Sequence, residues 1–157
     1  MRPIRPEDDA AVSRIIIDVM TEFGAVGSGY SIEDEEVRAM SAAYAAPGSA
    51  YYVVERDGDI LGGGGIGPLA NGEPGTCELK KMYFREALRG TGMGLQLLRH
   101  CLHSARLLGY RQVYLETLDA MHAARRLYRK LGFTDLEQPM GDTGHFGCNR
   151  WMILDLE

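Results

Sequence analysis

The segment from Glu78 to Gly94, Glu-Leu-Lys-Lys-Met-Tyr-Phe-Arg-Glu-Ala-Leu-Arg-Gly-Thr-Gly-Met-Gly, runs from an extended stretch into glycine-rich backbone that opens a helix. Such a junction binds anions with main chain alone. Gly90, Gly92 and Gly94 stand at alternate positions, so successive N–H groups can converge on one point. The helix beginning near Met93 adds about half a positive charge at its N-terminus. The ligand suited to this chemistry is a phosphate. The loop lacks the Gly-Lys-Ser/Thr ending of a nucleoside triphosphate loop, because Lys80 and Lys81 lie upstream on the strand. Leu95 stands where the dinucleotide pattern Gly-x-Gly-x-x-Gly needs its third glycine.

What remains is Arg89-Gly-Thr-Gly-Met-Gly94, which resembles the Arg/Gln-x-x-Gly-x-Gly/Ala pyrophosphate motif of the GCN5-related N-acetyltransferases, the GNAT family. A second stretch, Ala124-Arg-Arg-Leu127-Tyr128-Arg-Lys-Leu131-Gly132-Phe133, is similar to the family's Ala-x-x-Leu-Tyr-x-Lys-x-Gly-Phe and follows at the family's separation. The two motifs cover about a third of the chain, and the order of elements extends the resemblance over nearly all of it. It implies a single GNAT domain over residues 1–157, an α/β fold with a central, mixed, mostly antiparallel twisted sheet flanked by helices. It also implies acetyl-coenzyme A as acyl donor, with its pyrophosphate on Arg89, Gly90, Thr91, Gly92, Met93 and Gly94. One position departs from the pattern. Many members carry Asn three residues before the motif's Ala, and this chain has Met121, so an Asn contact to the cofactor is missing.

Acetyl transfer from a thioester to an amine needs a neutral amine, a stabilised oxyanion and a proton for the departing thiolate. An alkyl ammonium with pKa near ~10.4 must first lose a proton. Glu78 is the first candidate base, at a strand position where some GNAT members place a catalytic Glu. With regular pairing it shares a face with Lys80, Met82 and Phe84. Its other reading is a structural carboxylate, and Glu116 is the reserve base. The resemblance implies main-chain contacts to the pantetheine arm through Met82 and Phe84, and Tyr128 as the general acid and a cofactor contact. Those three side chains also suit a core or an anchored helix. Arg89 is a phosphate partner or a pin for the loop. Arg125, Arg126, Arg129 and Lys130 favour a helix C-terminus without any ligand. Acidic residues from Glu33 to Glu36 suit a helix start, or the rim of an amine site. His145 lies in a Gly-rich loop, Gly141 to Asn149, that in this family often lines the acceptor side.

Composition narrows the function further. A chain of 157 residues is most simply one domain. Its 45% apolar and 25% charged residues are those of an ordinary globular protein. No apolar run approaches the roughly 20 residues of a membrane span. The net charge of −5 speaks against nucleic acid as a partner, since phosphate backbones demand a basic face. A charged N-terminal segment makes the cytoplasm the expected location. Cys77, Cys101 and Cys148 form no Cys-x-x-Cys pair and no disulfide framework, and the scattered Cys and His residues predict no metal site. No Gly-x-Ser-x-Gly elbow supports a serine hydrolase. The predicted activity is acetyl transfer to a primary amine, of a small metabolite rather than a protein, directly in a ternary complex. A non-catalytic acyl-coenzyme A sensor is the alternative, and a homodimer is open.

The elements that must position these residues follow from periodicity and turn chemistry. A short strand near Ile4 precedes a helix from about Glu7 to Phe23, with Ala11, Val12, Ile15, Ile16 and Val19 in one stripe. Ser31 with Asp34 three residues on predicts a capped second helix, stopped by Pro47-Gly48. Asp57-Gly58 joins Tyr51–Glu55 and Asp59–Gly62 as a hairpin. Four consecutive glycines, Gly62 to Gly65, mark a bulge or a close approach of something to the backbone. Thr76 to Phe84 leads into the phosphate loop. A helix from about Met93 to Leu108 ends at Gly109, a strand covers Val113–Thr117, and a helix covers Ala120 to Leu131. Strands begin at Phe133 and span Trp151 to Leu156.

Overall fold

The computed structural model describes residues 1–156. Seven strands form one sheet: β1 (Arg2–Pro3), β2 (Ala50–Arg56), β3 (Asp59–Pro68), β4 (Thr76–Phe84), β5 (Gln112–Thr117), β6 (Thr134–Leu136) and β7 (Arg150–Asp155), in the order β1-β2-β3-β4-β5-β7-β6. All neighbouring pairs are antiparallel except β4 with β5. Four helices, α1 (Asp9–Glu22), α2 (Met40–Ala43), α3 (Met93–Leu107) and α4 (His122–Lys130), cover both faces.

The alternation of β2 shows how the sequence fills both layers. Tyr51 and Val53 point into a core with Val12, Ile16 and Met20 of α1, while Val54 points into the opposite core with Leu97, Leu98 and Cys101 of α3. The glycines of β3 let aromatic side chains lie on the backbone. A Cβ at Gly62 would stand 2.4 Å from the Phe84 ring and one at Gly63 2.7 Å from the Tyr51 ring. Both expectations for the tetrad hold, because the β3–β4 register also slips between Gly63 and Gly65.

Two expectations are corrected. The helix predicted from Ser31 is two short 3₁₀ turns, Ser31–Glu33 and Glu35–Arg38, followed by the four-residue α2. No side chain caps these turns. Asp34 is extended (φ −64°, ψ 130°), and its carboxylate is taken by Lys81 and His145. The regular pairing of β4 also fails. The slip opposite Gly63–Gly65 inserts an extra residue with Lys81 at φ +51°, so the side-chain alternation changes phase. Lys80 and Lys81 both reach Glu36. Met82 and Phe84 pack against the α3 core, together with Leu79, and not beside Glu78 and Lys80.

Candidate active site

The bulge and the topology together open a cleft. β4 and β5 pair only over Thr76–Glu78 and Gln112–Tyr114. Beyond that, β4 stays with β3 as far as Phe84 and β5 stays with β7 as far as Thr117, so the two parallel strands part. The pocket in the opening is lined on one side by Glu78, Met82 and Tyr83 and on the other by Glu116, Met121 and Tyr128. A second, outer pocket is lined by Asp34, Glu35, Glu36, Pro68, Ala70 and Thr143. Glu78, Lys80 and His145 line both, and therefore form the partition.

Glu78 sits in that partition, 5% exposed. Burial pushes its carboxyl up to about 7, against the opposing pull of Lys80 and His145. Among the described residues no hydrogen bond occupies its carboxylate, and its nearest cation is His145 Nδ1 at 4.0 Å. Glu116 is engaged instead. It accepts from the Tyr114 hydroxyl at 2.7 Å and the Thr143 hydroxyl at 2.9 Å, and His145 Nδ1 lies 3.6 Å away. Of the two carboxylates proposed from sequence, Glu78 has lone pairs to spare. Glu78, Glu116 and His145 bring one potential ligand atom each within 4.8 Å of one another, a geometry able to hold a cation. The imidazole supplies that charge as it stands. Burial lowers its proton affinity, but the hydrogen bond to Asp34 and the nearby Glu116 and Glu78 carboxylates outweigh this and push His145 up to about 9.

Tyr128 is buried in α4 with its ring 5.7 Å from that of Phe133. Burial pushes its phenol up, and the hydroxyl makes no hydrogen bond with the described residues. Met121 stands at the N-cap of α4 without a capping side-chain bond, and its sulfur accepts from the Thr117 hydroxyl at 3.6 Å. Thus the residue in the Asn position contributes a thioether to the cleft wall.

At the other end of β4 lies the glycine loop, in which the Thr91 N–H donates to the Leu88 carbonyl at 3.4 Å. Gly90 (φ +74°) and Gly92 (φ +85°) adopt left-handed conformations, and the space where their Cβ atoms would stand is open. Gly92 is the N-cap of α3, and no side chain caps this end. The first N–H groups of α3 have no partner within the helix. The Thr91 hydroxyl folds back onto the Leu88 carbonyl at 2.7 Å, and Met93 packs against the α3 core. Gly94 lies close to Leu127, where a Cβ would stand 3.3 Å away. Of the two roles open to Arg89, the structure shows the pin. Its guanidinium holds both Glu22 oxygens at 2.6 and 2.7 Å, and its Nε donates to the Phe84 carbonyl at 3.0 Å. Two of the four basic residues of α4 are likewise paired within the fold, Arg125 with Asp119 and Arg129 with Asp135.

Two features escaped the sequence. Lys81, 1% exposed at its side chain, is buried between Asp34 (2.7 Å) and Glu36. His145 is carried into the partition rather than lying at its edge. The density of acids from Glu33 to Glu36 was the available signal for the first. Nothing in the spacing signalled the second.

The GNAT acetyltransferase family model matches residues 16–133, which takes in Glu78, Glu116, the glycine loop and Tyr128. The chain belongs to the GNAT family. A relative over nearly the whole length agrees: the uncharacterized N-acetyltransferase YjgM of Escherichia coli (strain K12) is 39% identical, covering 99% of this chain and 94% of its own. N-acetylaspartate synthetase of Rattus norvegicus is 35% identical over 100 residues, 64% of this chain and 31% of that protein. Among solved structures, yncA of Salmonella typhimurium, determined with its cofactor acetyl-CoA, superimposes with a TM-score of 0.77 at 23% identity, covering 99% of this chain and 92% of that one. This GNAT protein is therefore an N-acetyltransferase with the family's fold, as its motifs implied. No helix among the described residues is long and apolar enough to cross a membrane.

Proposed function

We propose that this GNAT enzyme transfers the acetyl group of acetyl-CoA directly to a primary amine of a small metabolite, both substrates being bound at once. The observation that carries the reading is the partition. Glu78 faces an inner pocket shared with Tyr128 and an outer pocket rimmed by Asp34, Glu35 and Glu36, so donor and acceptor can meet across one carboxylate. Acetyl-CoA fits the chain's own groups: the open, left-handed Gly90 and Gly92 and the uncapped start of α3 suit its pyrophosphate. When bound, it supplies the activated acyl group.

The remaining chemistry belongs to the protein. Of the acids at the outer pocket, Asp34 and Glu36 are paired with Lys80, Lys81 and His145, which leaves Glu35 to attract an ammonium. Glu78, poised near neutrality by burial, takes the ammonium proton directly or through water. Tyr128, kept protonated by burial, holds a hydroxyl proton for the departing thiolate. Main chain where β4 leaves β5, at Met82 and Phe84, offers N–H donors to the carbonyl oxygen, while the Phe84 carbonyl is itself taken by Arg89. The outer pocket is walled by three separate segments, around Asp34, Pro68 and Thr143, which favours a compact acceptor over an extended peptide. The name of the N-acetylaspartate synthetase relatives is in line with an amino-acid-like amine.

Calorimetric titration with acetyl-CoA, CoA, ATP and NAD, repeated on Gly92→Glu, tests the donor site. The expected result is selective CoA and acetyl-CoA binding that the added bulk and negative charge abolish. Absence of binding by folded wild type, or binding untouched by the substitution, removes the assignment.

A further inference from the structure

His145 reaches the partition through an unusual closure between two loops. The Phe146 ring lies on Gly29, where a Cβ would stand 2.5 Å from it, and the Tyr30 ring lies on Gly147, where a Cβ would again stand 2.5 Å away. Between these reciprocal contacts the Gly147 N–H donates to the Gly29 carbonyl at 2.9 Å. The turn is tied at its base as well: Cys148 N–H donates to the His145 carbonyl at 3.0 Å, and His145 N–H to the Thr143 hydroxyl at 3.2 Å. That hydroxyl in turn donates to Glu116. Backbone and ring contacts therefore set where the imidazole sits, before any of its own bonds form.

We propose that His145 is a positioning residue for the acyl-transfer base: clasped into the partition, its ring bonds Asp34 through Nε2 and presents Nδ1 to Glu116 and Glu78, holding Glu78 as an available carboxylate. The Nε2 contacts to the two Asp34 oxygens are 3.0 and 3.2 Å. Nδ1 lies 3.6 Å from Glu116 and 4.0 Å from Glu78. The charged and titratable groups around this pair are Asp34 and Glu36 from the 3₁₀ turns, Tyr44 just after α2, Cys77, Lys80, Lys81 and Tyr83 from β4, Tyr114 and Glu116 from β5, and Cys148. Lys81 is committed to Asp34 and Glu36, so His145 is the cation aimed at Glu78 from the loop side. An opposite charge at this range holds a carboxyl's pKa down. Without the imidazolium, Glu78 keeps the pull of Lys80 and Lys81 but loses that of His145, so burial and Glu116 shift it further toward its protonated, inactive form.

This inference rests on Glu78 being the base. The test is the pH dependence of kcat for His145→Gln and Gly147→Ala, with acetyl-CoA and an amine accepted by the wild type. Gly147→Ala displaces the Tyr30 ring without removing a titratable group, and it carries the test by itself should His145→Gln not fold. Both variants are expected to move the acid limb to higher pH, by about one pH unit or more for His145→Gln. Turnover at pH 7 then falls about fivefold or more and is largely regained by pH 9, while the KM for acetyl-CoA is unchanged. A limb that stays in place, with activity lost equally at every pH or not lost at all, overturns the role of His145. Glu78→Gln measured alongside separates the two ideas. If it leaves the limb intact the base lies elsewhere, whereas if it removes the limb and His145→Gln does not move it, only the positioning role falls.

Discussion

Replacing Glu78 with Gln should make the enzyme more stable as it makes it inactive, and the stability effect is measurable without knowing the acceptor. The Glu78 carboxyl is 5% exposed and is raised by burial from 4.5 to about 7. A carboxyl raised on folding contributes stability that is full below its unfolded value and is lost as pH rises through the folded one. For Glu78 the loss therefore runs from about pH 4.5 to about pH 7, and totals roughly 3 kcal/mol by the usual 1.36 kcal/mol per pH unit. Gln cannot ionise and escapes this penalty. Its amide carries a pH-independent cost of about 1–3 kcal/mol if left unpaired, so the informative quantity is how the gap between variant and wild type changes with pH. Between pH 5 and pH 8 the gap should move in favour of the variant by roughly 2–3 kcal/mol. For a chain of this size that is roughly 5–10 °C in Tm, read by thermal denaturation in matched buffers. With an accepted amine, kcat should meanwhile fall by roughly 10²–10⁴. A gap constant across that pH range would refute the argument, because it would mean that folding leaves Glu78 with its ordinary proton affinity.

Tyr128→Phe should lower kcat by roughly 10²–10⁴ while acetyl-CoA affinity by calorimetry stays the same. Its Tm should shift little, because the lost hydroxyl has no hydrogen bond with the described residues to forfeit. Lys81→Met leaves Asp34 and Glu36 without their buried cation. This should cost about 3 kcal/mol, the low end for a broken buried pair because both carboxylates are about a quarter exposed. Lys81 helps hold the Asp34 and Glu36 carboxyls below their ordinary values, and such stability is lost as pH falls through the depressed values. The difference in Tm between Lys81→Met and wild type should therefore narrow in acid, and a difference that persists there would count against the ion cluster as its source.

The site was legible in the sequence where chemistry is carried by backbone and local spacing, and illegible where it depends on pairing across the sheet. Gly90, Gly92 and the start of α3 lie within a few residues of one another, so their convergence needed no knowledge of the fold. Glu78 and Tyr128 are distant in sequence, and what joined them was the family's element order. The face shared by Glu78, Met82 and Phe84 went wrong for a definite reason. Alternation along a strand assumes one residue opposite one residue, and the slip at Gly63–Gly65 breaks that rule at Lys81. The glycine tetrad announced that something irregular happens there, but glycine cannot say which strand carries the extra residue.

That irregularity is also what separates the two halves of the chemistry. With unbroken alternation, Met82 and Phe84 would follow Glu78 and Lys80 onto the α1 side of the sheet. The extra residue returns Met82 and Phe84 to the α3 side, beside the helix that the glycine loop opens, and leaves Glu78, Lys80 and Lys81 facing the acids of the 3₁₀ turns. The cost is a lysine in a left-handed conformation, a strain of order 1–2 kcal/mol. Tyr51 helps hold it there by donating its hydroxyl to the Lys81 carbonyl at 2.9 Å. Strain retained at one backbone position, and offset by a buried ion cluster and a buried tyrosine, is what a strand requires if it is to serve a phosphate loop on one face and an amine pocket on the other.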